Sequence, residues 1–461
     1  MSAKGTLSRA ESTRRLATLA WPVLLGQLSV IGFGTLDTLL IARYASADLA
    51  ALAVGGAAYF TTFVGLMGVV MAIGPLAGQA FGAGRLDEAG DHLHQASWLA
   101  LAVTVPGLLL LAWPEPYLWL ARLPPELESK TRTYLAVLAL ALPASLLFAA
   151  WRGFNTAVSR PRIVMALQLG ALAAKVPLSI LLIHGAPSVG LPALGLTGCA
   201  VATAIVMWGQ LVAAVVITRR DAFYAAFGLH RRGLHRPNAA RLRELVKLGV
   251  PMGATLLIEV SGFTMMAIFI ARLGATPVAG HQIAVNVVSI LFMVPLALSN
   301  AAMTLVSQSV GARELAQARQ IGWHAVQIGL ALAVGLGALV ALGREGIVRL
   351  YTSDEAVVAA ALPLLAWLAV FHIADAAQTL AAFVLRAWKI ATGPMVIYAI
   401  SLWGVGLGGG YLLAFDVLGG TPRWLTGAPG YWMAATVGLV VGGVALIALL
   451  AWAMRQRSGE R

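Results

Sequence analysis

Residues 16–42 read LATLAWPVLLGQLSVIGFGTLDTLLIA and carry a single charge, Asp37, between Arg15 and Arg43. A helix of about 20 apolar residues crosses the roughly 30 Å of hydrocarbon in a bilayer. A helix is required because lipid offers no hydrogen bonds to exposed backbone groups. This stretch therefore predicts a membrane-spanning helix that holds one acid.

The same pattern recurs along the whole chain. Of the 461 residues, 59% are hydrophobic and only 11% are charged, and the mean hydropathy is +0.84, whereas soluble domains carry about 25% charged residues. We therefore predict an all-α polytopic membrane protein. Twelve apolar runs place its transmembrane helices at residues 18–42, 52–78, 95–114, 133–151, 163–184, 195–217, 248–271, 281–306, 324–343, 358–385, 394–415 and 431–454.

The distribution of basic residues predicts the topology. With the N-terminus in the cytoplasm, 23 of the 32 Lys and Arg residues fall in cytoplasmic tails and loops, as the positive-inside rule requires. We therefore expect both termini in the cytoplasm and insertion into the cell inner membrane. The N-terminal segment MSAKGTLSRAESTRR lacks an A-x-A-type cleavage site, so no cleaved signal peptide is expected.

The densest basic segment, residues 218–247, separates two related halves. We interpret it as a cytoplasmic linker beside anionic membrane lipids, not as a nucleic-acid site. When Leu16 is placed on Leu245, Leu16–Gly90 aligns with Leu245–Arg319 without a gap and with 17 identities in 75 positions. We predict an N-terminal lobe at residues 1–217 and a C-terminal lobe at 248–461, each a six-helix bundle. Because six is even, a pseudo-two-fold axis along the membrane normal is expected to relate them, a frame that suits alternating access.

Four charged residues lie inside the predicted spans: Asp37, Lys175, Glu259 and Asp375. Charges are costly in lipid, so each is expected to face a partner or a cavity. A structural ion pair is the simplest interpretation of Asp37 and Lys175, which lie in the same half. The predicted spans of the second half contain no basic residue to neutralise Glu259 and Asp375. Two carboxylates in one pocket repel each other, so we expect at least one to hold a proton near neutral pH.

Together these residues resemble the multidrug and toxic compound extrusion (MATE) family, in its NorM-like branch. The resemblance rests on the two halves, on Asp37 in GTLDTLLIA, Glu259 in LLIEVSGF and Asp375 in FHIADAAQ, and on the segments AGHQIAVNV and GQAFGAG. It implies a secondary transporter that exports lipophilic organic cations, such as drugs and dyes, in exchange for Na+ or H+. It also implies that Glu259 and Asp375 bind the coupling ion, and that Asp37 takes part in ion coupling or drug binding.

Two departures from the family pattern bear on the coupling ion. The family commonly has Asn-x-Pro-Leu-Asn in helix five, where this chain reads KVPLS at residues 175–179. Some relatives have a tyrosine one turn before the helix-ten acid, where this chain has Phe371. An ammonium repels Na+ and phenylalanine offers no oxygen, whereas a proton needs only one carboxylate. We therefore favour H+ over Na+, with no cofactor and no bound metal.

Several residues are candidates for binding the transported cation, in addition to Asp37. Asp354 and Glu355 lie together in a predicted external loop, and the resemblance implies that acids there hold cationic drugs; a solvated loop is the alternative. Gln282 and Asn286 lie one helical turn apart and suit either cavity lining or helix–helix hydrogen bonding. Aromatic and methionine candidates, which core packing explains equally well, are Phe63, Met265, Phe292 and Met293.

Other functional classes find less support in the sequence. We expect no enzymatic activity, because GVGLGGG at residues 404–410 lies inside a span with no preceding strand and no other catalytic or nucleotide-binding motif is present. The single cysteine, Cys199, cannot form an intramolecular disulfide. A lipid-linked precursor flippase of the same superfamily and a major-facilitator-type carrier remain open. The flippase would need basic residues in its cleft, where only Lys175 fits. We expect a monomer.

Overall fold

The computed structural model of this chain describes residues 8–121, 124–186, 190–230 and 233–456. Regular structure in these residues is helical, apart from an isolated bridge between Ala186 and Leu191. The helices are α1 (Arg9–Tyr44), α2 (Leu49–Val70), α3 (Ile73–Gly82), α4 (Leu86–Ala112), α5 (Glu115–Ala121), α6 (Pro125–Ala139), α7 (Leu142–Ala157), α8 (Pro161–His184), α9 (Gly195–Arg220), α10 (Ala239–Ala271), α11 (Ala275–Gly311), α12 (Leu315–Tyr351), α13 (Glu355–Ala387), α14 (Thr392–Tyr398), α15 (Gly409–Ala414) and α16 (Ala428–Gln456).

The helices account for the predicted membrane spans. Among the described residues, eleven helical segments are long and apolar enough to cross a membrane, and the bent pair of α6 and α7 makes a twelfth if it is counted as one span. A π-helical segment, Ala399–Gly408, joins α14 to α15 within one of these spans. The prediction of an all-α polytopic membrane protein is therefore confirmed.

Two of the predicted spans are interrupted beside prolines. Between α2 and α3, Pro75 has no N–H to donate to the Met71 carbonyl, which accepts a bond from Gly74 N–H at 3.0 Å instead. Helices α6 and α7 meet at a bend of 44°, with Pro143 in the first turn of α7. A hydropathy pattern does not register a missing backbone donor, so the sequence predicted each span as one continuous helix.

The turns after α3 and α11 show the internal repeat in atomic detail. Gly84 (φ 73°) and Arg313 (φ 62°) both adopt the left-handed conformation, and the sequence repeat aligns these two positions with each other. In each turn the next amide donates to the carbonyl five residues before it, at 3.0 Å and 2.9 Å respectively, which is a Schellman closure. Glycine adopts this conformation freely, whereas Arg313 carries a strain of roughly 1 kcal/mol.

The described chain separates into two compact units. The first unit is Trp21–Gly253, and the second consists of the residues from Ala254 onwards together with those before Trp21. The first turns of α1 belong to the second unit because Leu16 and Leu19 are buried in its core. The sequence-based lobes differ on this point, since they assign all of α1 to the N-terminal lobe. The apolar sequence of a helix does not indicate which of two hydrophobic cores its first turns pack against.

The basic linker at residues 218–247 packs on the first unit, although residues 231–232 lie outside the described residues. His235 Nδ1 lies 2.8 Å from Asp91 Oδ1, and Arg241 lies 3.2 Å from the other oxygen of the same carboxylate. Trp98 Nε1 donates to the His235 carbonyl at 2.8 Å. The α4 side chains Asp91 and Trp98 therefore fix the course of the linker.

Near the start of the linker lies Asp221, whose two carboxylate oxygens each accept a hydrogen bond. The Phe223 N–H donates to Asp221 Oδ1 at 3.0 Å, and Arg160 donates to Asp221 Oδ2 at 2.6 Å. The backbone bond from Phe223 and the Arg160 guanidinium hold the pKa of Asp221 below its usual range. This pair ties the end of α9 to the start of α8.

Candidate coupling-ion site

An ion pair lies among the helices of the first unit. Asp37 of α1 is 8% exposed and Lys175 of α8 is 1% exposed. Lys175 Nζ donates to Asp37 Oδ2 at 2.7 Å and to Thr203 Oγ1 of α9 at 2.9 Å, while the Phe33 ring centroid lies 4.7 Å from the ammonium. The structure therefore contains the ion pair that the sequence suggested, and it adds Thr203, which no sequence motif indicated.

The polar surroundings of this pair are incomplete. Asp37 Oδ1 and Ser179 Oγ are buried and have no hydrogen-bond partner among the described residues. Ser179 lies one turn after Lys175 on α8, and the buried Cys199 thiol interacts electrostatically with Asp37. A buried ion pair stabilises a protein only where further hydrogen bonds offset the loss of hydration. Apart from the bond from Lys175 to Thr203, only the weakly donating Cys199 thiol contributes to this pair, so its carboxylate is only partly compensated.

Two further acids lie in the second unit, on different helices. Glu259 is half-buried on α10, and Asp375 is 7% exposed on α13. The two carboxylates repel each other electrostatically. Among the described residues, neither has a Lys, Arg or His nitrogen within 4.0 Å. The acids that the sequence placed in separate spans therefore share one electrostatic environment, without a direct ion pair.

Aromatic side chains pack beside Asp375. Phe371, one turn earlier on α13, lies with its ring 5.4 Å from Trp432 and 6.0 Å from Phe263, so it is a core residue and offers no oxygen. Trp432 Nε1 donates to His281 Nδ1 at 3.2 Å, which gives that histidine a structural role. His372 is 1% exposed, and neither of its ring nitrogens is hydrogen-bonded to a described residue.

Arg386 is a charged residue that the sequence reasoning missed. It is 4% exposed, lies in the last turn of α13, and interacts electrostatically with Glu259. The count of basic residues in the predicted spans of the second half did not include Arg386, which acts electrostatically on Glu259 without lying within 4.0 Å of it. The predicted span ended at residue 385, one residue too early. The missed signal was the spacing, because eleven residues are three helical turns and place Arg386 on the same face of α13 as Asp375.

The candidates for substrate binding differ in their surroundings. Asp354 accepts a bond from Ala356 N–H at 2.9 Å and so caps α13, and Glu355 pairs with Arg349 at 2.8 Å. Both acids are exposed, so each combines a local structural contact with access to solvent.

The remaining candidates occupy helix faces. Gln282 and Asn286 lie on α11, one turn apart, and both are exposed. Phe63 stacks on Tyr59 with ring centroids 6.1 Å apart. Three side chains are half-buried and are available for packing or for contact with a passenger: Met265, Phe292 and Met293.

The chain matches one protein family twice. The MatE family profile covers residues 22–181 and again residues 251–412, and the two matches begin at Pro22 and Pro251, which the internal repeat aligns with each other. Together they cover more than half of the chain.

Relatives match over almost the full length. The chain is 40% identical over 445 residues to the probable multidrug resistance protein NorM of Aromatoleum aromaticum, covering 96% of this chain and 93% of that protein. It is 33% identical over 448 residues to the multidrug resistance protein NorM of Vibrio cholerae, covering 96% and 95%.

Solved structures share the fold. The eukaryotic MATE transporter AtDTX14 superposes with a TM-score of 0.86 at 20% identity, over 97% of this chain and 99% of that one. The Vibrio cholerae MATE transporter VcmN in its bent form gives a TM-score of 0.83 at 19% identity, over 97% and 98%. The two profile matches and the full-length relatives show that the chain belongs to the MatE family of transporters, in its NorM-like branch.

Proposed function

We propose that this protein is a secondary active multidrug efflux transporter of the cell inner membrane, which exports lipophilic organic cations by antiport with H+. It is a carrier and not an enzyme, works as a monomer with both termini in the cytoplasm, and operates by alternating access. The observation that carries the proposal is the placement of half-buried Glu259 and buried Asp375 on two helices of one unit, with no basic nitrogen of the described residues within 4.0 Å of either carboxylate. The multidrug resistance names of its full-length relatives support the same function.

In this mechanism a proton and a cationic passenger compete for the same carboxylates. A proton that binds Glu259 or Asp375 removes the charge that holds a cationic passenger, and loss of the proton restores it. Binding of each therefore weakens binding of the other by the same factor. A gradient of one pH unit supplies about 1.4 kcal/mol per proton, and a potential of 100 mV supplies about 2.3 kcal/mol per charge moved.

The arrangement around Lys175 favours H+ over Na+. Its ammonium lies between Asp37 Oδ2 and Thr203 Oγ1, where a sodium ion would otherwise find two oxygen ligands. Sodium needs several oxygens to replace its hydration shell, and Phe371 contributes none. A proton needs one carboxylate, which both Glu259 and Asp375 provide.

Reconstitution into proteoliposomes tests the coupling. Ethidium movement is followed while a pH gradient or a Na+ gradient is imposed alone, with the membrane potential clamped at zero. We expect the pH gradient to drive ethidium uphill and the Na+ gradient to have no effect. Uphill movement with Na+ alone would overturn the assignment of the ion, and no movement under either gradient would favour the flippase alternative.

Substitutions test the residues. Glu259→Gln and Asp375→Asn should each lower the initial rate of pH-driven ethidium transport at least tenfold, because each removes one carboxylate that binds the proton. Glu345→Gln is the matched control: Glu345 is an exposed glutamate that pairs with Arg349 on α12, and its loss should leave the rate unchanged. If both acid variants kept the wild-type rate at wild-type expression, the proposed site would be wrong.

A further inference from the structure

One face of α4 holds the linker in place. His94, Gln95 and Trp98 follow Asp91 by three, four and seven residues, which places all four side chains on the same side of the helix. The ring of His94 stacks on the ring of His235 with centroids 4.1 Å apart. Asp91 and Trp98 contact the same linker residue, at its Nδ1 atom and at its carbonyl oxygen. Three side chains of α4 therefore converge on His235.

The linker in turn fixes the start of α10. Gln95 accepts a bond from the Asn238 N–H at 2.8 Å and donates to the Arg236 carbonyl at 3.1 Å. The Asn238 side chain caps α10 by accepting bonds from two N–H groups of its first turn, at 3.0 Å and 3.2 Å. The contacts on α4 therefore determine where α10, the helix that carries Glu259, begins.

His94 is buried without hydrogen bonds. It is 6% exposed, and neither of its ring nitrogens has a hydrogen-bond partner among the described residues. A buried imidazolium needs an acceptor for each of its two N–H groups, whereas a neutral ring carries no charge and is less costly to bury. The docked linker therefore requires His94 to be neutral.

The two nearest acids on α4 already have partners. Asp91 is divided between His235 at 2.8 Å and Arg241 at 3.2 Å. Glu88, earlier on the helix, lies 3.8 Å from His92. A proton on the buried ring would therefore lie beside His235 without a free acid on α4 to compensate it.

The other elements that pack on α4 supply no acid for this purpose. Helices α2 and α3 and the 3-10 turn Ala222–Phe227 contain no charged residue and no histidine. Helix α7 contributes Arg152, which donates to Met67 Sδ at 3.1 Å, and both acids of α6 form ion pairs. The tyrosines of these elements, which are neutral as phenols near pH 7, are Tyr59, Tyr134 and Tyr224. The surroundings of the buried ring therefore oppose its protonation.

We propose that the docked linker is a pH-sensitive latch on α10, closed while His94 is neutral and released when His94 binds a proton. The proposed topology places this latch in the cytoplasm, so the proton comes from there. Release frees the first turn of α10, and acidity on this side therefore raises the rate of transport. The latch itself goes beyond the proposed function, and only its effect on transport rests on that function.

Proton linkage sets the size of the response. The pKa of a solvent-exposed imidazole is about 6.5. If only the released state binds the proton, the ratio of released to docked linker rises about tenfold when the pH falls from about 7.5 to about 5.5. The docked state is therefore favoured at high pH and is lost on acidification.

Hydrogen exchange of backbone amides tests the latch in the full-length protein in nanodiscs. The Asn238 N–H reports on docking because it donates to Gln95. After correction for intrinsic exchange rates, we expect its protection to fall about tenfold over the same pH range. His94→Phe keeps an aromatic ring for the stack but cannot bind a proton, so protection in this variant should change by less than about twofold.

The matched control is His230→Phe in the same linker. His230 is exposed, and its Nε2 lies 3.1 Å from the Asp221 carbonyl, so this change removes a titratable ring without altering the stack. It should keep the wild-type fall in protection. A fall that persists in His94→Phe would overturn the latch. If that variant fails to fold, the wild type alone decides, because protection that is constant or rises on acidification would also overturn it.

Transport is measured separately in proteoliposomes. Initial rates of ethidium movement are compared between wild type and His94→Phe at a constant pH difference, while the pH on the linker side is lowered over the same range. We expect the ratio of wild-type to variant rate to rise at least threefold. A constant ratio would overturn the control of transport by the latch. Absence of ethidium movement in both proteins would overturn the proposed function, and hydrogen exchange would still decide the latch.

Discussion

Replacing Lys175 should destabilise the first unit more than replacing Lys175 and Asp37 together. The 2.7 Å separation of Nζ and Oδ2 corresponds to a gross attraction of about 6 kcal/mol at an effective dielectric constant of 20. The loss of hydration offsets much of this attraction, but Lys175→Met alone leaves Asp37 buried and unpaired. Breaking a buried pair in this way costs about 3–5 kcal/mol, whereas replacing both partners with apolar residues is often neutral.

The assay is a double-mutant cycle on the unfolding free energy. Wild type, Lys175→Met, Asp37→Leu and the double variant are unfolded by SDS titration in mixed micelles, followed by tryptophan fluorescence. We expect the double variant to lie within about 1 kcal/mol of wild type, with a coupling energy of at least about 2 kcal/mol. Thr203→Val, which removes only the 2.9 Å bond to the ammonium, should cost about 1–2 kcal/mol.

Additive losses would refute this reasoning. If the double variant were destabilised by the sum of the two single changes, the pair would contribute no mutual stabilisation. A stable Lys175→Met variant would show that water or another group reaches Asp37 and replaces the ammonium. Either result would also weaken the argument that Lys175 occupies the place of a sodium ion.

Two further predictions concern positions outside the coupling site. The pKa of Asp221 is lowered in the folded state. The ionised carboxylate therefore stabilises the fold at pH values above its unfolded pKa near 4, and this contribution is lost as the pH falls through the lower folded pKa. We expect Asp221→Asn to make the thermal midpoint decline less steeply with pH in that acidic range. At the paired left-handed turns, Arg313→Gly should raise stability by up to about 1 kcal/mol, and Gly84→Ala should lower it by about 1 kcal/mol. Equal and opposite thermal shifts would confirm the strain at Arg313, and no shift in Arg313→Gly would contradict it.

The distribution of apolar residues was sufficient to predict the membrane spans as helices, because lipid offers no hydrogen bonds to backbone groups and these must be satisfied within each segment. A charged side chain in lipid has a high free-energy cost, so charged residues inside the apolar runs are functional candidates. On this basis the sequence identified Asp37, Lys175, Glu259 and Asp375. The internal repeat was readable from identities and reappears in the turns at Gly84 and Arg313.

The break at Met71 and the bend before Pro143 each depend on one proline that lacks a backbone N–H donor. A hydropathy pattern contains no information about hydrogen-bond donors. The partners of the charged residues could not be predicted either, because they come from other helices and their contacts depend on how those helices pack. Thr203 meets Lys175 across 28 residues, and Arg386 acts on Glu259 from another helix of the unit.

The sequence by itself thus determined that this chain crosses a membrane many times and carries four charged residues within its predicted spans. Only the tertiary structure decided which groups act on those charges: Asp37 is paired with Lys175 in the first unit, whereas in the second unit Glu259 interacts with Asp375 and with the more distant Arg386. The reason is physical. The cost of burying a charge is local and can be read residue by residue, whereas its compensation depends on distances that only packed helices define.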